Sequence, residues 1–129
     1  DTLKLEILTP NGEIFNGEAV SVTLPGEEGE FGVLANHSSL STLLEAGVID
    51  IEKEDKSIES ILINWGVCNV DEEKVIVLVE GAVAIRGENE SAIASALDDA
   101  KELINSISDN NPAIAAVSAR IESAAQRLL

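Results

Sequence analysis

The sequence predicts a β-sandwich of about ten strands followed by an antiparallel two-helix hairpin. Three observations predict it. Apolar residues alternate with a period of two through the first two thirds of the chain, turn residues punctuate that stretch at short intervals, and the period becomes helical just after Gly87. The expected division is a sandwich domain over residues 1–87 and a helical hairpin over 88–129.

The strands follow in order. LKLEILT puts Leu3, Leu5 and Ile7 on one face, with Lys4 and Glu6 on the other. Pro10-Asn11-Gly12 signals a turn, and Asn16-Gly17 a second. AVSVTLPG then turns Val20, Val22 and Leu24 inward. PGEEGEFGVLANHSSL, residues 25–40, follows; it places Gly26, Gly29 and Gly32 behind Pro25, with Glu27, Glu28 and Glu30 between them. Glycine at that density excludes a helix and suits tight turns. A rigid, irregular, acidic loop is expected, pinned to the core by Phe31, Val33 and Leu34 and closed by His37. Function concentrates on loops held by rigid scaffolds, so this stretch is the first candidate contact surface. LSTLL, GVIDIE with Val48, Ile49 and Ile51, an acidic turn over 52–56, SIESILINWG with Ile61 and Ile63, and a strand from Gly66 come next. DEEK turns the chain, and KVIVLVEGAVAIRG, broken at Gly81, supplies the last two strands.

Beyond Asn89 the apolar residues Ile93, Leu97, Ala100, Ile104 and Ile107 form one helical stripe. Residues 108–111 break it; Asn111 is expected to cap a second helix, with Pro112 at its first position. Ile114, Val117, Ile121, Ala124 and Leu128 make the second stripe, completing a hairpin that packs on itself and on one further surface.

Charge narrows the function. A net charge of −16, from 8 basic and 24 acidic side chains, argues against nucleic acid and anionic lipid and favours basic protein partners. Residues 1–87 hold 5 basic and 17 acidic side chains against 3 and 7 in 88–129, so the sandwich is the acidic part. No run of roughly 18 uncharged apolar residues exists, so no membrane insertion is expected. The opening DTLKLEILTP lacks a basic lead and an apolar run, so no signal peptide is expected. Cys68, the single cysteine, excludes an internal disulfide and fits a reducing compartment.

No catalytic or metal-binding constellation is legible. Cys68 lies in the apolar VCNV and reads as a structural thiol. His37 reads either as a loop histidine bonded to nearby backbone or as a partner contact, with no second histidine to share a metal. The acidic clusters at Glu27-Glu28-Glu30, Glu52-Glu54-Asp55 and Asp71-Glu72-Glu73 fall in expected turns, where solvated charge is the default. No GK[ST] follows the glycines, and their glutamates would repel phosphate. The alternatives are a small β-sandwich adaptor module binding a protein partner and an acid-dependent hydrolase relying on Glu30.

Taken in order, the motifs resemble the epsilon-subunit family of bacterial F-type ATP synthases, the counterpart of the mitochondrial delta subunit. The GxxGExGxLxxH pattern falls on Gly26, Gly29, Glu30, Gly32, Leu34 and His37; GVIDI and WGVCNVDEEKVIVLVEGAVAIRG resemble the blocks that follow. The resemblance implies a noncatalytic subunit of the rotor stalk, whose sandwich binds the gamma subunit and the membrane rotor ring. Its hairpin would fold down or extend toward the catalytic hexamer and regulate hydrolysis. It also implies a peripheral position at the cytoplasmic face of the inner membrane.

Glu30, Gly32, His37 and Ser38 would face the ring; Arg120 and Arg127 would be surface or partner contacts of the hairpin. Departures from the family bear on both parts. Ala35-Asn36-His37-Ser38-Ser39-Leu40 replaces the usual PGHAPL, so Asn36 should adopt the left-handed conformation in place of glycine. Trp65 stands where a small residue is usual. The [IL]DxxRA motif with which some members bind ATP is missing from residues 90–95, and Leu97-Asp98-Asp99-Ala100-Lys101 lies too far along the helix. No cofactor is expected. With two arginines and no lysine in the second helix, weak inhibition of hydrolysis is expected.

Overall fold

The computed structural model describes residues 1–107 and 113–129. Among the described residues, ten strands precede two helices. The strands are β1 (Leu3–Thr9), β2 (Gly12–Ala19), β3 (Ser21–Gly26), β4 (Gly29–Leu34), β5 (Leu40–Leu44), β6 (Gly47–Glu52), β7 (Ile58–Ile63), β8 (Gly66–Val70), β9 (Lys74–Val79) and β10 (Ala82–Ile85). The helices are α1 (Glu90–Asn105) and α2 (Ala113–Leu128). The turn at 108–111, the Asn111 cap, Pro112 and the side chain of Ile114 lie outside the described residues.

One hydrogen-bonded path, β10-β7-β6-β3-β5-β8-β9-β1-β2 with β4 beside β3, wraps around the core as a nearly closed sandwich. Its two halves meet where β3 pairs with β5 at the single residue pair Gly26 and Leu44. Between the halves, Leu5 and Ile7 of β1 and Val22 and Leu24 of β3 pack with Ile49 and Ile51 of β6 and Ile61 and Ile63 of β7. Cys68, Val75 and Val77 complete this core from β8 and β9. The period-two reading of β1 holds: Leu3, Leu5 and Ile7 are buried.

β6 and β7 are apolar on both faces, because both faces are covered. Ile49, Ile61 and Ile63 face the sandwich, while their chain neighbours Val48 and Leu62 belong to a second cluster beneath the helices. There they meet Ile85 of β10, Ile93, Ala100 and Ile104 of α1, and Ile121, Ala124 and Ala125 of α2. The hairpin therefore lies folded against the β10-β7-β6 face. Asn89 caps α1: its side chain accepts a hydrogen bond from the Ala92 amide, as a β-region N-cap should.

Several local readings need correction. Asn16-Gly17 makes no turn: Asn16 pairs with Glu6 and Gly17 with Leu5 inside the β1–β2 ladder, so a neighbouring strand supplies the hydrogen bonds that a turn would have closed. The first half of residues 25–40 is not irregular. Gly26 and Gly29 close a two-residue hairpin around Glu27 and Glu28, and Pro25 pairs with Glu30. A Cβ on Gly26 would lie 2.7 Å from the Gly29 carbonyl oxygen and 2.8 Å from Phe31, and Gly29 has φ +127°, so both positions need glycine. Phe31 packs on the core and Val33 enters it, but Leu34, next in alternation, is 62% exposed. Val20, at the bend before β3, is half-buried. Leu128 closes the second stripe outward, exposed at the chain's end, and Ala125 is buried instead.

Candidate partner interface

Alternation should leave the outer face of β5, β8 and β9 polar. It does not. Register puts Leu43 opposite Val67, Val67 opposite Leu78, and Leu78 beside Leu8 of β1, an apolar row across four strands. Leu43 is 53% exposed, Val67 41% and Leu78 48%, and Trp65, 58% exposed, stands at the end of β7 beside them. Shallow concavities run along the row; Glu27 and Glu45 border one and Glu80 another. An apolar centre with an acidic rim is the arrangement of a protein–protein interface whose partner carries basic groups. The row is tied to the glutamate hairpin, since the Glu27 amide donates to the Leu43 carbonyl at 3.0 Å.

The sequence singled out the glutamate hairpin and missed this row. Its signal was present: LSTLL, GVCNV and KVIVLV carry apolar residues on both faces, which a half-solvated strand does not need.

Glu30 and Gly32 sit on β4, exposed at the edge of the sheet. Asn36 has φ 63°, the left-handed conformation expected of it. His37 donates from Nδ1 to the Ser38 carbonyl at 2.7 Å, which is the local backbone bond of the plainer reading, and Ser38 itself is exposed.

Arg120 and Arg127 turn toward the chain's own sandwich. Arg120 donates from Nη2 to Asp50 at 2.6 Å and from Nη1 to Glu30 at 2.8 Å. Arg127 donates to Ser60 Oγ at 2.9 Å, and Ser60 donates to Asp50 at 2.5 Å. Register explains the cluster: Asp50 and Ser60 face each other across β6 and β7, on the side of Val48 and Leu62, where α2 lies. Burial pulls the Arg120 pKa down. The Asp50 hydrogen bond and charge, with Glu30 adding to them, outweigh that and hold the guanidinium above its ordinary value. Of the candidate contacts, Glu30 and Arg120 are thus brought together.

The remaining groups offer little to chemistry. Cys68 is buried, and desolvation pushes its thiol up to about 11. Asp98, Asp99 and Lys101 are exposed on α1. No cluster of three or more metal-ligating side chains occurs among the described residues.

The sequence model of a family described as ATP synthase, Delta/Epsilon chain, beta-sandwich domain matches residues 2–85. The chain belongs to the ATP synthase delta/epsilon chain family. An ATP synthase epsilon chain of Sulfurimonas denitrificans is 84% identical over 127 residues, covering 98% of both chains. One from Nitratiruptor is 59% identical, again over 98% of each. Membership in the epsilon chain family makes this a structural subunit, not a catalyst. Among solved structures, a chain of the Euglena gracilis mitochondrial ATP synthase superposes with TM-score 0.63 at 24% identity, covering 95% of this chain and 74% of the other. A chain from the central stalk and c-ring of the Tetrahymena thermophila enzyme gives 0.55 at 15% identity, covering 99% and 93%. Both show the same fold at low identity.

Proposed function

We propose that this chain is the noncatalytic epsilon subunit of an F-type ATP synthase central stalk, joining the rotor ring to the gamma subunit so that proton-driven rotation reaches the catalytic hexamer. The observation that carries the reading is the exposed apolar row Leu43–Val67–Leu78 with Trp65, rimmed by glutamates on a stiff sandwich. Torque transmission needs stiffness and interface area, and this face supplies both. The row is the gamma-binding surface. Glu30, Gly32, His37 and Ser38, on and beside β4, face the ring, where an acidic edge suits basic polar loops.

The sandwich, residues 1–87, is the part that binds, and residues 88–129 form a separable hairpin that reaches the hexamer when released. Among the described residues no helix is long and apolar enough to cross a membrane. The subunit is peripheral, held at the cytoplasmic face by its partners. The test is co-expression with the gamma subunit of the same enzyme: the two should co-purify as a stable complex through salt washes. Failure to associate would overturn the proposal.

A further inference from the structure

Among the described residues, α2 meets the helix-facing cluster through the buried Ile121, Ala124 and Ala125 and the partly buried Val117. The alanines remove little apolar surface from water, so the polar contacts of α2 add to its docking. Those contacts converge on Arg120, whose fork spans two carboxylates from different strands: Asp50 on β6 and Glu30 on β4. Asp50 is further held by Ser60, which also receives Arg127, so this arm of the clamp is rigid and half-buried. The Glu30 arm differs. It reaches the exposed sheet edge, beside the glutamate turn, where an external cation can meet it.

We propose that Arg120 couples the β3–β4 edge to the hairpin: a cationic group that takes Glu30 from outside withdraws one of the two carboxylates holding α2 down, and so loosens the hairpin. The coupling is reciprocal, as any linkage between two binding events must be. A docked hairpin masks the Glu30 charge and weakens edge binding by the same factor. Assigning that cation to a rotor-ring loop rests on the function proposed above; the coupling itself is a property of the isolated chain.

The experiment uses the isolated full-length chain and needs no partner. Glu30→Lys puts a cation where an external one would sit. Amide hydrogen exchange over residues 115–128 then reports opening of α2. Glu30→Lys should raise it about 3- to 10-fold, the scale of one partly exposed ion pair. Arg120→Ala should raise it at least as much, and adding Glu30→Lys to Arg120→Ala should change nothing further. Glu30→Gln, which keeps the side chain's shape, is run in parallel and should give a smaller rise in the same direction, so a folding defect of the lysine variant does not decide the outcome. Unchanged α2 exchange in both Glu30 variants, or an equal rise with Arg120 already removed, would overturn the coupling. Neither result depends on gamma binding, so this failure is distinguishable from a failure of the proposed function.

Discussion

Leu62→Ala should undock the hairpin without touching the interior of the sandwich. Leu62 is fully buried on β7, yet it points away from the sandwich core, into the cluster formed with Val48, Ile85, Ile93 and Ile121. Its chain neighbours Ile61 and Ile63 point the other way. Truncating a fully buried leucine costs about 3 kcal/mol, combining lost transfer energy with the cavity left behind. Here that loss falls on the hairpin–sheet contact, so local opening of α1 and α2 should become about 100-fold more frequent. Ile61→Ala is the matched control. It costs a similar amount but weakens the sandwich, which both docked and undocked forms share. Hydrogen exchange separates the two: Leu62→Ala speeds the helix amides strongly, whereas Ile61→Ala speeds the strand amides and leaves the local opening of the helices alone. Helix amides indifferent to Leu62→Ala, or equally fast in both variants, would refute the two-cluster reasoning.

Other outcomes follow from single sites. A Cβ on Gly66 would press into the Leu78 carbonyl oxygen and lie 3.0 Å from Val79 Cα, backbone atoms of the paired strand that cannot swing aside. Gly66→Ala should therefore cost about 2–3 kcal/mol in urea denaturation. Cys68 ionises near 9.0 when unfolded and about 11 when folded. A raised folded value stabilises fully below the unfolded one and is lost as pH climbs, so roughly 2–3 kcal/mol should disappear between about pH 9 and pH 11. Cys68→Ser should remove that alkaline step. Deleting residues 88–129 should change ATPase activity of the assembled enzyme little, since α2 offers only Arg120 and Arg127 to an acidic face; a large increase would contradict weak inhibition.

How far the residues disclose this fold depends on how local each cause is. β1 announces itself by alternation, because one face is buried and the other is not. The Asn89 cap acts on an amide three residues away and so has a local cause, yet the only cap expected from the sequence is Asn111. Asn16-Gly17 misleads because a neighbouring strand overrides a turn propensity. Two signals could have been read further. The consecutive apolar residues Val48-Ile49 of β6 and Ile61-Leu62-Ile63 of β7 mark faces covered on both sides, and the outward Leu43, Val67 and Leu78 mark a face awaiting cover. The Arg120 clamp has no local signal at all. Its carboxylates lie 70 and 90 residues away in the chain, and only the folded register of β6, β7 and β4 brings them to α2.

The most direct measurement is the affinity of the purified chain for its gamma subunit, compared with that of Leu78→Asp. Leu78 is half exposed, so the aspartate folds in place but puts a charge at the centre of the apolar row. The natural chain should bind tightly and the variant lose at least about 100-fold, the penalty for burying an unpaired charge at an interface centre. Equal affinities, with the strand amides of both proteins still protected, would contradict it.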